Sequence, residues 1–191
     1  ISQFPVEDWS ASAYGECKEE LPPNAPKSRG LGFTMRSFVD SDHMGDTITR
    51  CSRTGFIFFL ISAPIYWYSK KQGSVETSSF GSEFIAMKQC CEYVRGLRYK
   101  LRMMGIPVDL PSYIFGDNQS VLANTSHPHS KLRKKSSSIA FHFVREGVAK
   151  LEWCTTYLNT HLNPADLLTK SLPGGEKRSR FTAYLLHYLD T

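Results

Sequence analysis

A run of residues that alternates in polarity and ends in acids constrains this chain more than any other stretch. The alternation from Gly32 to Asp40 has the period of a β-strand with one buried face. Asp42, Gly45 and Asp46 follow it directly. Acids and glycine are common in a polar turn after a strand. A strand that carries carboxylates to its own end is also a candidate site for Mg²⁺ or Mn²⁺, which prefer oxygen ligands.

Strand and helix patterns after this run predict a mixed sheet. Two further strands are predicted at Gly55–Ser62 and Pro64–Ser69, and short spacers with Gly and Pro make the first three strands an antiparallel meander. Helical spacing of apolar residues then covers Ser82–Met104, and Gly105 stops it. The strand predicted at Ser112–Gly116 follows this long helix and is therefore expected to run parallel to its neighbour.

Shorter segments complete the predicted order. Helices are expected at Asn118–Asn124, Ile139–Val148 and Asn163–Ser171, and a fifth strand is expected at Leu151–Leu158. The predicted fold class is α/β, with a mixed five-stranded sheet of three antiparallel strands, then parallel strands, flanked by helices.

Length and composition fit a single domain, because 191 residues with 41% apolar side chains can bury a substantial core. We expect a linker or extended arm at 1–30, a domain at 31–172 and a C-terminal tail, helical in part, at 173–191. The opening Ile1 indicates a piece of a longer chain. The longest apolar run, Gly55–Trp67, is too short to span a bilayer and no signal segment opens the chain, so an intracellular location is expected.

Four acids lie at the ends of predicted elements. Asp40 ends the first strand, Asp117 follows the fourth strand, and Glu83 and Asp166 lie in the first turns of two helices. The carboxyl ends of neighbouring parallel strands meet at one edge of a sheet, where such folds place their sites. Crowded carboxylates repel each other, so the cluster is best explained by two bound metal ions about 4 Å apart, an arrangement suited to phosphodiester hydrolysis. Judged singly, Glu83 could be a solvated acid and Asp166 a complement to its helix dipole.

Six motifs resemble the ribonuclease H domain of copia-type (LTR) retrotransposon Gag-Pol polyproteins, and they occur in that family's order between about Gly32 and Leu172. They are Phe38–Asp46, Arg50–Gly55, Trp67–Gln72, Gly81–Ala86, Gly116–Ser120 and Asn163–Lys170.

This resemblance implies a ribonuclease H-like fold and a hydrolase that cleaves the RNA strand of an RNA–DNA hybrid during reverse transcription. It implies dependence on two Mg²⁺ ions, with Mn²⁺ as a substitute, and Asp40, Glu83, Asp117 and Asp166 as the catalytic, metal-binding acids. The implied partners are the hybrid and the reverse transcriptase domain of the same polyprotein. The implied location is the cytoplasm, within virus-like particles.

Two departures from the family pattern favour a rival interpretation. Ser136 and Tyr157 stand where many relatives have histidine. A catalytically degenerate domain that binds nucleic acid or braces a reverse transcriptase would tolerate these changes.

His161 precedes Asp166 and is either a candidate proton shuttle or an ordinary loop residue. An integrase shares the fold but usually relies on a different set of acids.

Basic stretches and a net charge of +5 suit a polyanionic partner, although charged runs also occur as solvated faces. Contacts to phosphates or 2′-hydroxyls are expected from groups close to the acids and from one basic run. These residues are Arg50, Arg53, Asn118, Gln119, Ser120, Lys131, Arg133, Lys134 and Lys135. Phosphate contacts are also expected from the basic residues of the long helix, which are Arg95, Arg98, Lys100 and Arg102.

Overall fold

The computed structural model of this chain describes residues 7–132 and 135–186, apart from the side chain of Ser136. The strands are β1 (Met35–Asp42), β2 (Arg53–Leu60), β3 (Ala63–Lys71), β4 (Ser112–Gly116) and β5 (Trp153–Tyr157). The helices are α1 (Ser79–Met103), α2 (Gln119–Ser126), α3 (Ser138–Ala149), α4 (Asp166–Thr169) and α5 (Glu176–Leu185). Short 3₁₀ turns occur at Lys135–Ser137 and Thr160–Leu162.

The five strands form one mixed sheet in the order β3-β2-β1-β4-β5. β1, β2 and β3 pair antiparallel, and β4 pairs parallel with both β1 and β5. The predicted fold class is confirmed. β4 lies beside β1 because the long helix α1 carries the chain back across the sheet, as parallel pairing requires.

Helix α1 begins where the hydroxyl of Ser78 accepts a hydrogen bond from the N–H of Gly81 at 3.2 Å. Its apolar residues recur every three or four positions and pack against one face of the sheet. The buried core on this face includes Phe56, Phe58, Phe84, Met87, Val94 and Ile114. Among the described residues, no helix is long and apolar enough to cross a membrane.

A second apolar layer covers the opposite face of the sheet. Phe38, Ile57, Phe59 and Ala165 are its buried members. Gly55 lets α4 approach β2 closely, because a Cβ atom at this position would lie 2.6 Å from the methyl carbon of Thr169. This contact brings α4 to the end of β1 that carries Asp40.

The N-terminal arm packs against the helices. Trp9 is buried with 5% of its surface exposed, and the guanidinium carbon of Arg145 lies 4.8 Å from its ring centroid. Further along the arm, the carboxylate of Glu19 receives hydrogen bonds from Arg98 and Arg102 at 2.5–2.8 Å.

These ion pairs correct the prediction that the arginines of α1 contact phosphates. Arg98 is almost completely buried and Arg102 shares its partner Glu19. Arg95 pairs with Glu152 at 2.6 Å. The three guanidinium groups are therefore already ion-paired within the chain, with Arg98 and Arg102 sharing one carboxylate, and of this set Lys100 is exposed.

Two predicted details of the helices are wrong. Glu83 is the fifth residue of α1 and so lies in the second turn, because the helix already begins at Ser79. The last helix before the tail is a single turn, Asp166–Thr169, because Lys170 adopts an extended conformation. The start of this helix is tied to the sheet by Asn163, whose side-chain amide donates to the carbonyl of Val39 at 2.9 Å.

Candidate active site

Asp40, Glu83 and Asp117 meet at one edge of the sheet. One carboxylate oxygen from each residue lies within 4.8 Å of those of the other two. The parallel pairing of Phe38 with Phe115 explains part of this meeting, because Asp40 and Asp117 each come two residues later on neighbouring strands. Glu83 approaches from α1. The sequence-based expectation that these three acids converge therefore agrees with the geometry.

Asp40 is the most deeply buried acid of the cluster and is completely inaccessible to solvent. Burial raises its pKa to about 6, against the opposing effects of the Lys170 ammonium and the hydrogen bond from the Thr169 hydroxyl. At Glu83, burial contributes most and the charges of Asp40 and Asp117 come next, and together they raise its pKa well above the ordinary value. The cluster therefore carries more negative charge than its surroundings stabilise.

Asp166 is held apart from this group. Among the described residues, the cluster of acids close enough to share an ion has three members, and Asp166 is not one of them. Lys170 joins it to the cluster, because its ammonium lies 2.8 Å from Asp166 Oδ1 and 3.3 Å from Asp40 Oδ2. Burial opposes ionisation of Asp166, but hydrogen bonds from Lys170 and Lys177 outweigh it and lower its pKa.

Asp117 is positioned by the loop after β5. The hydroxyl of Thr160 donates a hydrogen bond to Asp117 Oδ2 at 2.8 Å. The next residue, Asn118, caps α2 by accepting a hydrogen bond from the N–H of Val121 at 3.2 Å. Asp117 is therefore held between the end of β4 and the start of a helix.

The donor set of the cluster fits a divalent cation such as Mg²⁺ or Mn²⁺. Every candidate ligand is a carboxylate oxygen, the type that these hard ions prefer. A bound cation would also offset the burial and the repulsion between carboxylates that together raise the pKa values of Asp40 and Glu83.

Known proteins resemble the chain in sequence and in fold. No protein-family model matches the chain. It is 30% identical over 144 residues to the retrovirus-related Pol polyprotein from transposon RE2 of Arabidopsis thaliana, a match that covers 75% of this chain and 10% of that protein. A similar polyprotein, from transposon TNT 1-94 of Nicotiana tabacum, is 29% identical over 73% of the chain and 10% of its own length.

Solved structures resemble the chain in fold. LC11-RNase H1, isolated from compost, superposes with a TM-score of 0.57 over 71% of this chain and 92% of that one, at 13% identity. The chain is thus similar in sequence to retrotransposon Pol polyproteins and has the fold of a ribonuclease H. It spans about a tenth of the length of the Pol polyproteins that it matches. The same LC11-RNase H1 has been solved in complex with an RNA/DNA hybrid, with a TM-score of 0.57 and 14% identity over 71% of this chain and 94% of that one.

The other predicted site residues of this ribonuclease H-like domain lie at its surface or outside the described part. Arg50, Arg53, Gln119 and Ser120 are exposed, as are Lys131, Lys135 and His161. Arg53 makes a long hydrogen bond of 3.4 Å to the hydroxyl of Ser69. Arg133 and Lys134 lie outside the described residues, as does the side chain of Ser136.

Sequence reasoning missed several residues that contact the acids. Thr169 and Lys170 follow Asp166 by three and four positions, a spacing that places side chains on one face of a helical turn, so the pattern could have revealed them. Lys177 carried no comparable signal, because it reaches Asp166 from a separate helix.

Proposed function

We propose that this domain is a metal-dependent endoribonuclease that cleaves the RNA strand of RNA–DNA hybrids during retrotransposon reverse transcription. The observation that carries the proposal is the convergence of Asp40, Glu83 and Asp117 at the carboxyl ends of two neighbouring parallel strands. The relationship to Pol polyproteins and the hybrid bound by a protein of similar fold support the choice of substrate.

In the proposed mechanism, Asp40, Glu83 and Asp117 would hold one Mg²⁺ ion, and Asp40 and Asp166 would hold a second. Bound divalent ions supply an activated water and charge stabilisation for the leaving oxygen, so no covalent nucleophile is required. The chain fixes its carboxylates in advance: Thr169 holds Asp40, and Thr160 holds Asp117. Such preorganisation lowers the barrier because the ligands need not reorient during the reaction.

Recognition of the hybrid is proposed to combine phosphate contacts with contacts to 2′-hydroxyls. Gln119 and Ser120 are exposed beside Asp117 and can reach a ribose, while Arg50 and Arg53 lie after the first acidic loop. Asn118 caps α2 with its side-chain oxygen, and its side-chain amide nitrogen is the group proposed to donate to a 2′-hydroxyl. The run from Lys131 to Lys135 is proposed to add salt-dependent affinity that does not depend on sequence. His161, exposed on the loop before Asp166, is retained as the candidate proton shuttle.

The polyprotein relationship also motivates a partner and a location. We propose that the domain works beside the reverse transcriptase domain of the same polyprotein, in the cytoplasm and within virus-like particles.

A second candidate function is that of a non-catalytic domain that binds nucleic acid or braces the polymerase. Ser136 and Tyr157, which depart from the histidines that the family resemblance leads us to expect, favour this alternative.

Cleavage of an end-labelled hybrid separates the two functions. The expected result is Mg²⁺-dependent cutting of the RNA strand, with 3′-hydroxyl and 5′-phosphate ends because water is the attacking group, and little cutting of duplex DNA. Asp117→Asn should abolish cutting, whereas Asp109→Asn, at an exposed acid, should not. Binding without metal-dependent cutting would favour the non-catalytic domain, and equal cutting of both duplexes would contradict the proposed substrate.

A further inference from the structure

Lys170 occupies the space between two buried carboxylates. Its ammonium lies 2.8 Å from Asp166 Oδ1 and 3.3–3.4 Å from the two oxygens of Asp40. Asp40 and Asp166 are 0% and 1% exposed. Buried carboxylates require a nearby cation, and in this arrangement the chain itself supplies it.

The geometry also allows Lys170 to leave. Its side chain is 37% exposed, and a lysine is a point charge on a flexible four-carbon stem. Lys177 contacts the other oxygen of Asp166, Oδ2, from helix α5. Withdrawal of Lys170 would therefore free Asp166 Oδ1 and Asp40 Oδ1, while Lys177 still contacts Asp166 Oδ2 and Thr169 still donates to Asp40 Oδ2.

We propose that Lys170 is an internal stand-in for the second divalent cation, and that this cation binds between Asp40 and Asp166 only when Lys170 withdraws. The inference rests on the proposed metal-dependent function. Lys170 is a positioning residue in this scheme: it keeps the two acids in place without metal and weakens the second cation site by competition. The first cation, at Asp40, Glu83 and Asp117, does not require its withdrawal.

Mn²⁺ binding to the whole chain without nucleic acid tests this proposal, because calorimetry and electron paramagnetic resonance count bound ions independently of cleavage. Lys170→Met should bind the second Mn²⁺ about tenfold or more tightly than the unaltered chain. Lys88→Met is the matched control, because Lys88 also pairs with an acid four positions away and is similarly exposed. Equal affinity for the second ion in the unaltered chain and Lys170→Met would overturn the proposal.

Thermal unfolding provides an independent measurement. In EDTA, Lys170→Met should have a lower Tm than the unaltered chain, because Asp40 and Asp166 lose their shared cation. Saturating Mn²⁺ should raise the Tm of Lys170→Met by more than it raises that of the unaltered chain, since the ion replaces the ammonium. An equal rise in both proteins would contradict the inference.

If Lys170→Met does not fold, the same measurements are made on the milder variant Lys170→Gln. Folding of either variant upon addition of Mn²⁺ would support the stand-in role. If both stay unfolded with saturating Mn²⁺, Lys170 is a structural partner that no divalent ion can replace, and the proposal is wrong.

Asp117→Asn separates this outcome from a failure of the proposed function. This substitution should abolish binding of the first Mn²⁺ ion. If the unaltered chain binds no Mn²⁺ at all, the metal-dependent function itself fails. A different result would refute the inference alone: the first Mn²⁺ ion binds and Asp117→Asn abolishes that binding, but Lys170→Met leaves the affinity for the second Mn²⁺ ion unchanged.

Discussion

Glu19 and Arg98 stand 79 positions apart, yet their side chains form a two-pronged ion pair with both N–O distances at 2.8 Å. Arg102 binds the same carboxylate. Burial opposes ionisation of Glu19, but the two guanidinium groups outweigh it and lower its pKa to about 2. The N-terminal arm is therefore fastened to α1 by charge as well as by the burial of Trp9.

We expect Glu19→Gln to lower the free energy of unfolding by about 3 kcal/mol, because Arg98 is buried and would lose its only carboxylate among the described contacts. Urea unfolding measures this change. Glu20→Gln, at the exposed neighbouring position, is the control and should stay within about 0.5 kcal/mol of the unaltered chain. Equal effects of the two substitutions would show that the pair contributes little.

We expect Asp40→Asn to reduce hybrid cleavage at least about a hundredfold, a loss typical of a group that stabilises charge in the transition state. The fold and hybrid binding should be retained, because the amide fills the same space and can still accept from Thr169. Steady-state cleavage, circular dichroism and a binding titration measure the three properties. Cleavage at a near-normal rate would mean that the site lies elsewhere.

The contribution of Asp40 to the stability of the metal-free chain should fall as the pH rises from about 4 to about 6. Burial raises the pKa of Asp40 from its ordinary 3.8 to about 6, so the folded state binds more protons than the unfolded state in this window. Glu83 contributes with the same sign. Denaturant unfolding in EDTA should therefore show a steeper fall for the unaltered chain than for Asp40→Asn, and parallel curves would refute the assignment.

Replacing Lys131, Arg133, Lys134 and Lys135 together with glutamine should weaken hybrid binding and reduce the slope of log K against log salt by about 3 units. The physical reason is that fewer counterions are released on binding. Salt titrations of binding measure the slope. The double control Lys88→Gln with Lys150→Gln removes ammonium groups that are paired with Glu92 and Glu146, and its slope should not change. An unchanged slope in the quadruple variant would show that the run from Lys131 to Lys135 is solvated and does not contact the hybrid.

Local patterns predicted the sheet well. The bounds of β4, Ser112–Gly116, were predicted correctly because Pro111 and the acid Asp117 delimit a short apolar run. The meander and the parallel β4 followed from spacer lengths and from the long intervening helix. Asp40, Glu83 and Asp117 could be predicted to meet because each lies near the end of its element.

Long-range contacts could not be predicted in the same way. Ser78, Ser79 and Ser82 are all acceptable caps, so the sequence did not decide where α1 begins, and the turn that contains Glu83 was assigned wrongly. The arginines of α1 looked free because Glu19, their partner, lies in an arm without periodicity. Lys177 was missed because only the folding of α5 over α4 brings it to Asp166.

The order of the strands has a consequence for synthesis on the ribosome. β1, β2 and β3 are neighbours in both sequence and space, so this meander can pair as soon as it emerges. Its apolar face, with Phe56 and Phe58, then stays uncovered until α1 has been made. Asp117 and Asp166 emerge later still, so a nascent chain passes through an aggregation-prone stage long before the four acids proposed to bind cations are all present.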